Sequence, residues 1–379
     1  MADNLTYDLA IVGGGLAGLA LSIQIAKSGH RVIVFEKEQY PFHRVCGEYI
    51  SLESWDFLQS LGFDLKALNV SAIKRLRVSA VNGRSFEQEL PLGGFGISRY
   101  LLDHTLAKIA KKAGVILQEQ ERVNEINFSD FSFNIETSKG NYKAKVVVGC
   151  FGKRSNLDIK WKRPFIMAKK NKLNNYIGIK YHIRYNFPID TIALHNFKKG
   201  YCGIVKVEDD KYCLCYLTTA DNLQNSDNDI KKMERTILSV NPHLKKILDE
   251  CEMVREEPVI ISQISFDKKE LIKDHILMIG DAAGMITPLC GNGMSMALHA
   301  SKIAAEQIHK FLEGTISRDL MEEAYSVHWE KNFAGRLRTG RMLQRLFDNQ
   351  RLSNLMIRLG QIFPGLIRIL IKKTHGHPF

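Results

Sequence analysis

The sequence predicts an α/β fold with an α+β insert and a helical C-terminal segment, and three stretches carry that prediction. Residues 7–36 read as strand, glycine turn, helix and strand. Residues 274–314 repeat a strand–turn–helix pattern far along the chain. Between them, from about 160 to 265, short alternating strands separated by polar turns have the pattern of an antiparallel sheet. A discontinuous α/β domain carrying an inserted sheet domain accounts for all three. The expected boundaries are 1–158 with 266–317 for the first domain, 159–265 for the substrate-binding sheet, and 318–379 for a basic helical segment.

Residues 7–12 (YDLAIV) are a buried strand, followed by Gly13-Gly14-Gly15-Leu16-Ala17-Gly18 and an apolar helix to about Ser28. Gly29 falls where a left-handed C-terminal cap belongs. Strand 31–36 (RVIVFE) completes a βαβ unit. Ser98 is a good N-cap for a helix through about Ala113, with Leu102, Leu106 and Ile109 on one stripe. Strand-like runs follow at 115–118, 123–127, 131–137 and 142–148. The insert contributes YIGIKYHIRY, TIALHNF, YCGIVKV and KYCLCYLTT, with a helix expected at about 229–249.

Composition narrows the classes. Apolar residues make up 45% and charged residues 25%, which is ordinary for a soluble globular chain. The first residues lack the basic region and cleavage site of a signal peptide, and no apolar run reaches the length of a membrane span. The seven cysteines contain no CxxC pair, which argues for reduced thiols in a cytoplasmic setting and against a zinc site. Cys213 and Cys215 share one face of a strand and read as packing residues.

The glycines Gly13, Gly15 and Gly18 form a GxGxxG in its confirming context, with a strand before, a helix after and an acid at the end of the second strand. They allow a tight turn, close approach of a pyrophosphate and helix–strand packing. Leu16 and Ala17 open the helix whose N-terminus would receive that anion. Glu36 would accept from a ribose hydroxyl, with Lys37 beside it, and would repel a 2′-phosphate. Whether the dinucleotide is NAD or FAD stays open at this point. Any metal is excluded from the expectation.

The segment 274–300 (DHILMIGDAAGMITPLCGNGMSMALHA) decides between them. Its Gly280-Asp281-Ala282-Ala283, Pro288 and Gly291-Asn292-Gly293-Met294 resemble the GDAA…P…GxG segment of the superfamily of para-hydroxybenzoate hydroxylase (group A flavin monooxygenases) and geranylgeranyl reductase. The resemblance covers roughly residues 7–315. It implies FAD as cofactor and a Rossmann-like FAD-binding domain of the glutathione-reductase-2 type. Asp281 would hold the ribityl hydroxyls, and the helix opened by Gly291–Met294 would point at the flavin and favour its reduced, anionic form. Arg99, in Arg99-Tyr100-Leu101-Leu102-Asp103, would contact the ribityl–phosphate region, and Val123 falls where a backbone contacts adenine. Arg44-Val45-Cys46-Gly47-Glu48 resembles the Cys-Gly segment that lies near the flavin ring in geranylgeranyl reductases. This makes Cys46 and Glu48 the candidate catalytic residues, with His43 and Tyr49 candidates by position.

Two departures bear on the reaction. The middle motif of the superfamily carries an acid, whereas 149–155 here reads GCFGKRS. Docking of NADPH or NADH as transient reductant is therefore in question. There is also no second GxGxxG for a dedicated nicotinamide domain. The paired tryptophans of flavin-dependent halogenases are missing, because 200–207 reads GYCGIVKV.

The expected function is an FAD-dependent oxidoreductase acting on an apolar small molecule, by geranylgeranyl-reductase-like reduction of carbon–carbon double bonds in an isoprenoid or other lipid. One alternative is a monooxygenase hydroxylating an aromatic or polyketide-like ring. Another, of a different class, is a non-catalytic carrier of a prenyl or lipid partner on the same fold. Net charge is +12, and residues 331–379 carry ten Lys/Arg against the single acid Asp348. One reading is a basic amphipathic surface for the inner face of a membrane. The other is helices packed on the first domain with their arginines in water. Nucleic acid is not expected, since no recognition motif or interleaved aromatic pattern accompanies the charges.

Overall fold

A computed structural model describes residues 6–68, 70–168 and 175–379; the opening residues 1–5 and the stretch 169–174 of the predicted insert lie outside it. The chain opens with β1 (Thr6–Val12), α1 (Leu16–Lys27) and β2 (Val32–Phe35). It continues through β3 (Tyr49–Ser51), α2 (Trp55–Ser60), β4 (Ala72–Ser79), β5 (Ser85–Gly96) and α3 (Arg99–Lys112). Next come β6 (Ile116–Gln118), β7 (Val123–Ser129), β8 (Ser132–Thr137), β9 (Asn141–Gly149), α4 (Asn156–Lys160) and α5 (Pro164–Met167). The insert holds β10 (Tyr176–Arg184), β11 (Thr191–Phe197), β12 (Gly200–Lys206), β13 (Tyr212–Thr219), α6 (Ala220–Gln224), α7 (Ile230–Thr236), α8 (Pro242–Glu250), β14 (Glu252–Met253) and β15 (Val259–Ile264). The chain closes with β16 (Ile272–Lys273), β17 (Ile276–Met278), α9 (Gly293–Leu312), α10 (Arg318–Phe347), α11 (Gln350–Ile362) and α12 (Pro364–Thr374).

Two sheets result, and the fold is α/β as expected. The first runs β16-β17-β9-β1-β2-β6, with β7 and β8 attached through β9. Its central strands are parallel, and β1, β2 and β17 are buried along nearly their whole length because helices cover the sheet. β17 and β1, from opposite ends of the chain, thus flank the same strand, β9. This brings the end of the GD strand next to the glycine turn.

The second sheet runs β14-β10-β13-β12-β11-β4-β5-β3, with β15 also on β10. Here the structure corrects the expected boundaries. Strands β3, β4 and β5 lie within 1–158 yet belong to this sheet, and β4 pairs in parallel with β11, Thr191 opposite Arg75. Alternation along a strand fixes which face is buried but not which sheet edge it joins, so the local pattern could not place these strands. The helix expected at 229–249 is also broken: α7 ends at Thr236, a 3-10 turn covers Leu238–Val240, and Pro242 starts α8. Proline has no N–H to continue a helix but suits a first turn, and Asn241 caps it by accepting from His243 N at 3.0 Å.

Candidate active site

The glycine turn is built for a close-approaching anion. A Cβ on Gly13, whose φ is +106°, would stand 2.5 Å from the Cys150 carbonyl oxygen, and one on Gly18 would stand 2.1 Å from the Gly13 oxygen. No side chain caps the N-terminus of α1, so its N–H groups remain available. Arg99 lies over this turn, its Nη2 3.7 Å from where a Gly15 Cβ would be, and its guanidinium forks onto Asp103 at 2.8 and 2.7 Å. That pair keeps the half-buried Arg99 charged against the cost of its desolvation.

Glu36 is buried at the end of β2 and takes three donors: Gly14 N at 3.0 Å, Glu38 N at 3.1 Å and Arg44 Nη2 at 2.8 Å. Arg44 also reaches Asp103, Nε to Oδ2 at 3.2 Å, so the predicted Glu36, Arg44 and Arg99 form one network around the turn. Lys37 points to solvent beside Glu38. Val123 opens β7, buried, with its carbonyl accepting from Asn156 Nδ2 at 3.1 Å.

The GD segment is held from outside by residues that the sequence did not single out. Arg163 is fully buried. It binds Asp158 at 2.8 Å and donates to the carbonyls of Ala282 at 3.1 Å and Glu270 at 2.7 Å. Lys269 donates to the carbonyls of Asp281 and Lys153, both at 2.7 Å. Burial pushes the Lys269 ammonium down to about 8. Among the described residues none donates a hydrogen bond to the Asp281 carboxylate, and burial raises its pKa although Lys269, Arg99 and Lys153 lie near. Gly280 packs against α1, with a Cβ there 3.3 Å from Ala17 Cβ.

Pro288 starts a 3-10 turn and is exposed, and Gly291 follows it at φ +63°. Past Gly291, α9 begins with no side chain capping its N-terminus. A Cβ at Gly291 would touch the Tyr49 ring at 3.3 Å, and the Tyr49 hydroxyl is buried without a partner.

These features fit FAD. Uncapped helix ends and a glycine cradle suit the pyrophosphate, and the open carboxylate of Asp281 suits a polyol. The orphaned Tyr49 hydroxyl beside Gly291 suits a polar ring system.

The Cys46–Glu48 turn leads into β3 and lies against the face of β10 and β13 in the second sheet. Glu48 is completely buried and adopts φ +56°, a left-handed conformation that costs a non-glycine residue about 1–3 kcal/mol. Its carboxylate is surrounded by donors: Lys180 Nζ at 2.6 Å and the Arg99 backbone N–H at 2.9 Å on Oε1, and His182 Nε2 at 2.6 Å on Oε2. Glu48 therefore joins the N-terminus of α3 in the first domain to β10 in the second. Burial alone would raise its pKa, but Lys180 and His182 outweigh it and hold Glu48 down at about 2. Burial likewise opposes the Lys180 charge, and Glu48 more than restores it.

On β10 and its partner β13, Lys180 stands opposite Cys215 and His182 opposite Cys213, so all four share the face turned to Cys46. Cys213 Sγ approaches the Cys46 carbonyl at 3.3 Å, and Cys46 Sγ accepts from Glu48 N at 3.5 Å. Burial raises the Cys46 pKa, which keeps the thiol protonated. Nothing lies within 4 Å of a Cβ built on Gly47, so the turn borders open space there. His43 stacks on Tyr100 at 4.6 Å and meets His182 edge-on at 5.5 Å. Burial and then Lys180 push His43 down to about 4.

Gly13, Gly15, Leu16, Ala17 and Gly18 thus form the uncapped start of α1 with Gly280 packed on it, Gly291, Asn292, Gly293 and Met294 form the uncapped start of α9, and Cys46, Gly47 and Glu48 form the turn leading into β3. Asn292 departs from a purely cofactor-facing role, since its amide donates to the Thr374 carbonyl at 2.9 Å. Missed were Lys180 and His182. Their signal was a lysine and a histidine two residues apart in the otherwise apolar run of β10.

An FAD-binding protein is what this cradle and topology define, and comparison with known proteins agrees: the chain belongs to the FAD-binding-domain family, whose pattern matches residues 6–328. It is 25% identical over 360 residues to conditioned medium factor receptor 1 of Dictyostelium discoideum, covering 87% of this chain and 69% of that one. It is 24% identical over 360 residues to digeranylgeranylglycerophospholipid reductase of Methanococcus vannielii, covering 91% and 88%. The solved structure of a flavin-dependent brominase shares the fold at TM-score 0.77 and 19% identity, over 97% of this chain and 94% of that one. The protein is an FAD-dependent oxidoreductase of the superfamily that includes geranylgeranyl reductases and group A flavin monooxygenases.

Proposed function

We propose that the protein reduces carbon–carbon double bonds in an isoprenoid lipid. The observation that carries this reading is the Cys46–Gly47–Glu48 turn, locked by Lys180, His182 and the N-terminus of α3, which sets a protonated thiol on the boundary between cofactor domain and sheet. Similarity to the archaeal lipid reductase over nine-tenths of both lengths supports it further.

Bound FAD would supply a two-electron, hydride-equivalent transfer. The chain's own residues do the rest. The α1 N-terminus with Gly13, Gly15 and Gly18 holds the pyrophosphate, Asp281 the ribityl hydroxyls, and Glu36 with Arg44 the adenosine side. The uncapped N-terminus of α9 favours negative charge on the ring. Glu48 positions Cys46, and the Cys46 thiol, kept neutral by burial, holds a proton next to the open side of Gly47. NADPH or NADH would be the transient reductant, with Lys153 offering positive charge near Asp281.

The test is anaerobic. FAD-loaded protein is titrated with NADPH, then mixed with digeranylgeranylglycerophospholipid, and the lipid is weighed by mass spectrometry. The reading expects flavin reoxidation with a lipid gain of two hydrogens per double bond. A monooxygenase would leave the lipid unchanged and its flavin reduced until oxygen is admitted with an aromatic substrate, and a carrier would bind lipid without reoxidising its flavin.

A further inference from the structure

The positive charge of the C-terminal helices is not spread evenly over solvent; the fold wraps part of it around one cleft. An open cleft of about 580 Å³ is lined by Lys331, Arg336 and Arg338 of α10 and by Lys373, His375 and His377 at the end of the chain, with small and uncharged polar residues between. No acid lines it. Glu53 lies behind Arg336 at 3.7 Å, and among the described residues Lys331, Arg338 and Lys373 form no ion pair. His375 turns Nδ1 to the Ile371 carbonyl at 3.1 Å and leaves Nε2 buried without a partner. Such a field attracts an anion with several oxygens.

A second feature says which anion source fits. Met342 lies one turn beyond Arg338 on α10, and Ile369 one turn before Lys373 on α12, so each shares a stripe with a cleft cation. Both side chains are about half exposed, at 48% and 54%. Ile362 and Phe363 are also exposed, where α11 and α12 meet at a bend of 112°. No single helix among the described residues is long and apolar enough to cross a membrane. Cations gathered in a cleft, with apolar side chains one turn away, match the boundary between phosphate headgroups and acyl chains.

We propose that this cleft docks the headgroup of an anionic phospholipid, with Met342, Ile369 and the Ile362–Phe363 bend entering the outer acyl layer of the same bilayer. The proposal stands on this surface alone and holds whichever reaction the flavin carries out.

The experiment uses the full chain loaded with FAD, sedimented with phosphatidylcholine vesicles that contain or lack phosphatidylglycerol. Wild type binds the anionic vesicles and not the neutral ones. Arg338→Glu with Lys373→Glu weakens that binding by about tenfold or more, and Met342→Asp with Ile369→Asp weakens it as well. A control of equal charge change on α7 and α8, Lys232→Glu with Lys245→Glu, binds as wild type. Retained flavin absorbance shows that each variant is folded. Equal binding to neutral vesicles, or equal loss in the control, overturns the proposal. So does a cleft that takes up inorganic phosphate, in an Arg338- and Lys373-dependent way, while ignoring vesicles, since the ligand is then a free phosphate compound.

Discussion

Lys180 Nζ lies 2.6 Å from Glu48 Oε1, and both side chains are almost wholly shielded from water, at 1% and 0% exposure. The pair ties the residue before β3 to β10, two strands of the second sheet, and holds the Cys46 turn against the face of that sheet. Neither charge has water to fall back on, so each needs the other.

Removing one partner should therefore cost far more than removing both. Glu48→Gln leaves a buried ammonium unpaired and is expected to destabilise the protein by about 3–5 kcal/mol. Combining it with Lys180→Met should recover a substantial part of that loss. Denaturant unfolding of the two single variants and the double variant measures the coupling. Equal, additive losses would show that the pair does not act as a unit.

The same pair sets a pH dependence. Glu48 is held at about 2 against an ordinary 4.5, so its contribution is complete above 4.5 and is lost as pH falls toward 2. The shift corresponds to roughly 3 kcal/mol. His43, lowered to about 4 from 6.5, acts earlier in the same direction. The unfolded chain takes up that proton first, so stability falls between 6.5 and 4. The buried His195, lowered to about 3, continues that trend. Unfolding followed from neutral to acid pH should steepen in two stages; His43→Phe should flatten the upper stage and Glu48→Gln the lower.

Flavin retention should depend on the glycine turn more than on any side chain. Gly13→Ala forces a Cβ to within 2.5 Å of the Cys150 carbonyl oxygen at a left-handed φ, and should yield protein without a visible flavin spectrum after desalting. Asp281→Ala, which leaves the backbone alone, should weaken FAD rather than abolish it. Fluorescence of released flavin quantifies both.

Cys46→Ala should separate cofactor binding from turnover. The thiol carries no ion pair, and its backbone turn is held by Glu48, so flavin should stay bound. Reduction of lipid should fall about tenfold to a hundredfold if the thiol holds a proton for transfer. Reaction of wild type with iodoacetamide should be slow at neutral pH, because burial keeps the thiol protonated. Rapid alkylation would contradict that environment.

The parts of this molecule that are visible in sequence are those written in short-range rules. The turn at Gly13–Gly18, the Ser98 cap and the strand leading to Gly280 each rest on residues a few positions apart, and the structure holds them there. The alternation of β10 to β13 was legible for the same reason. The Glu48 site was not, because its partners are 132 and 134 residues away and meet only when β10 enters the sheet. Arg163 and Lys269 escaped for a related reason. They act on backbone carbonyls of the GD segment, and a carbonyl leaves no mark in sequence. Strands β3 to β5 fall within the stretch 1–158 expected for the first domain, and their place in the second sheet is not legible locally, because β4 pairs with β11 far along the chain.

The most direct measurement of the central claim is a single anaerobic turnover: FAD-loaded protein, its flavin bleached by dithionite, is mixed with digeranylgeranylglycerophospholipid and its spectrum followed. The account predicts that the oxidised flavin bands return without oxygen and that the lipid gains two hydrogens for each flavin reoxidised. Flavin that stays reduced until oxygen is admitted, with an aromatic substrate then gaining one oxygen atom, would contradict it.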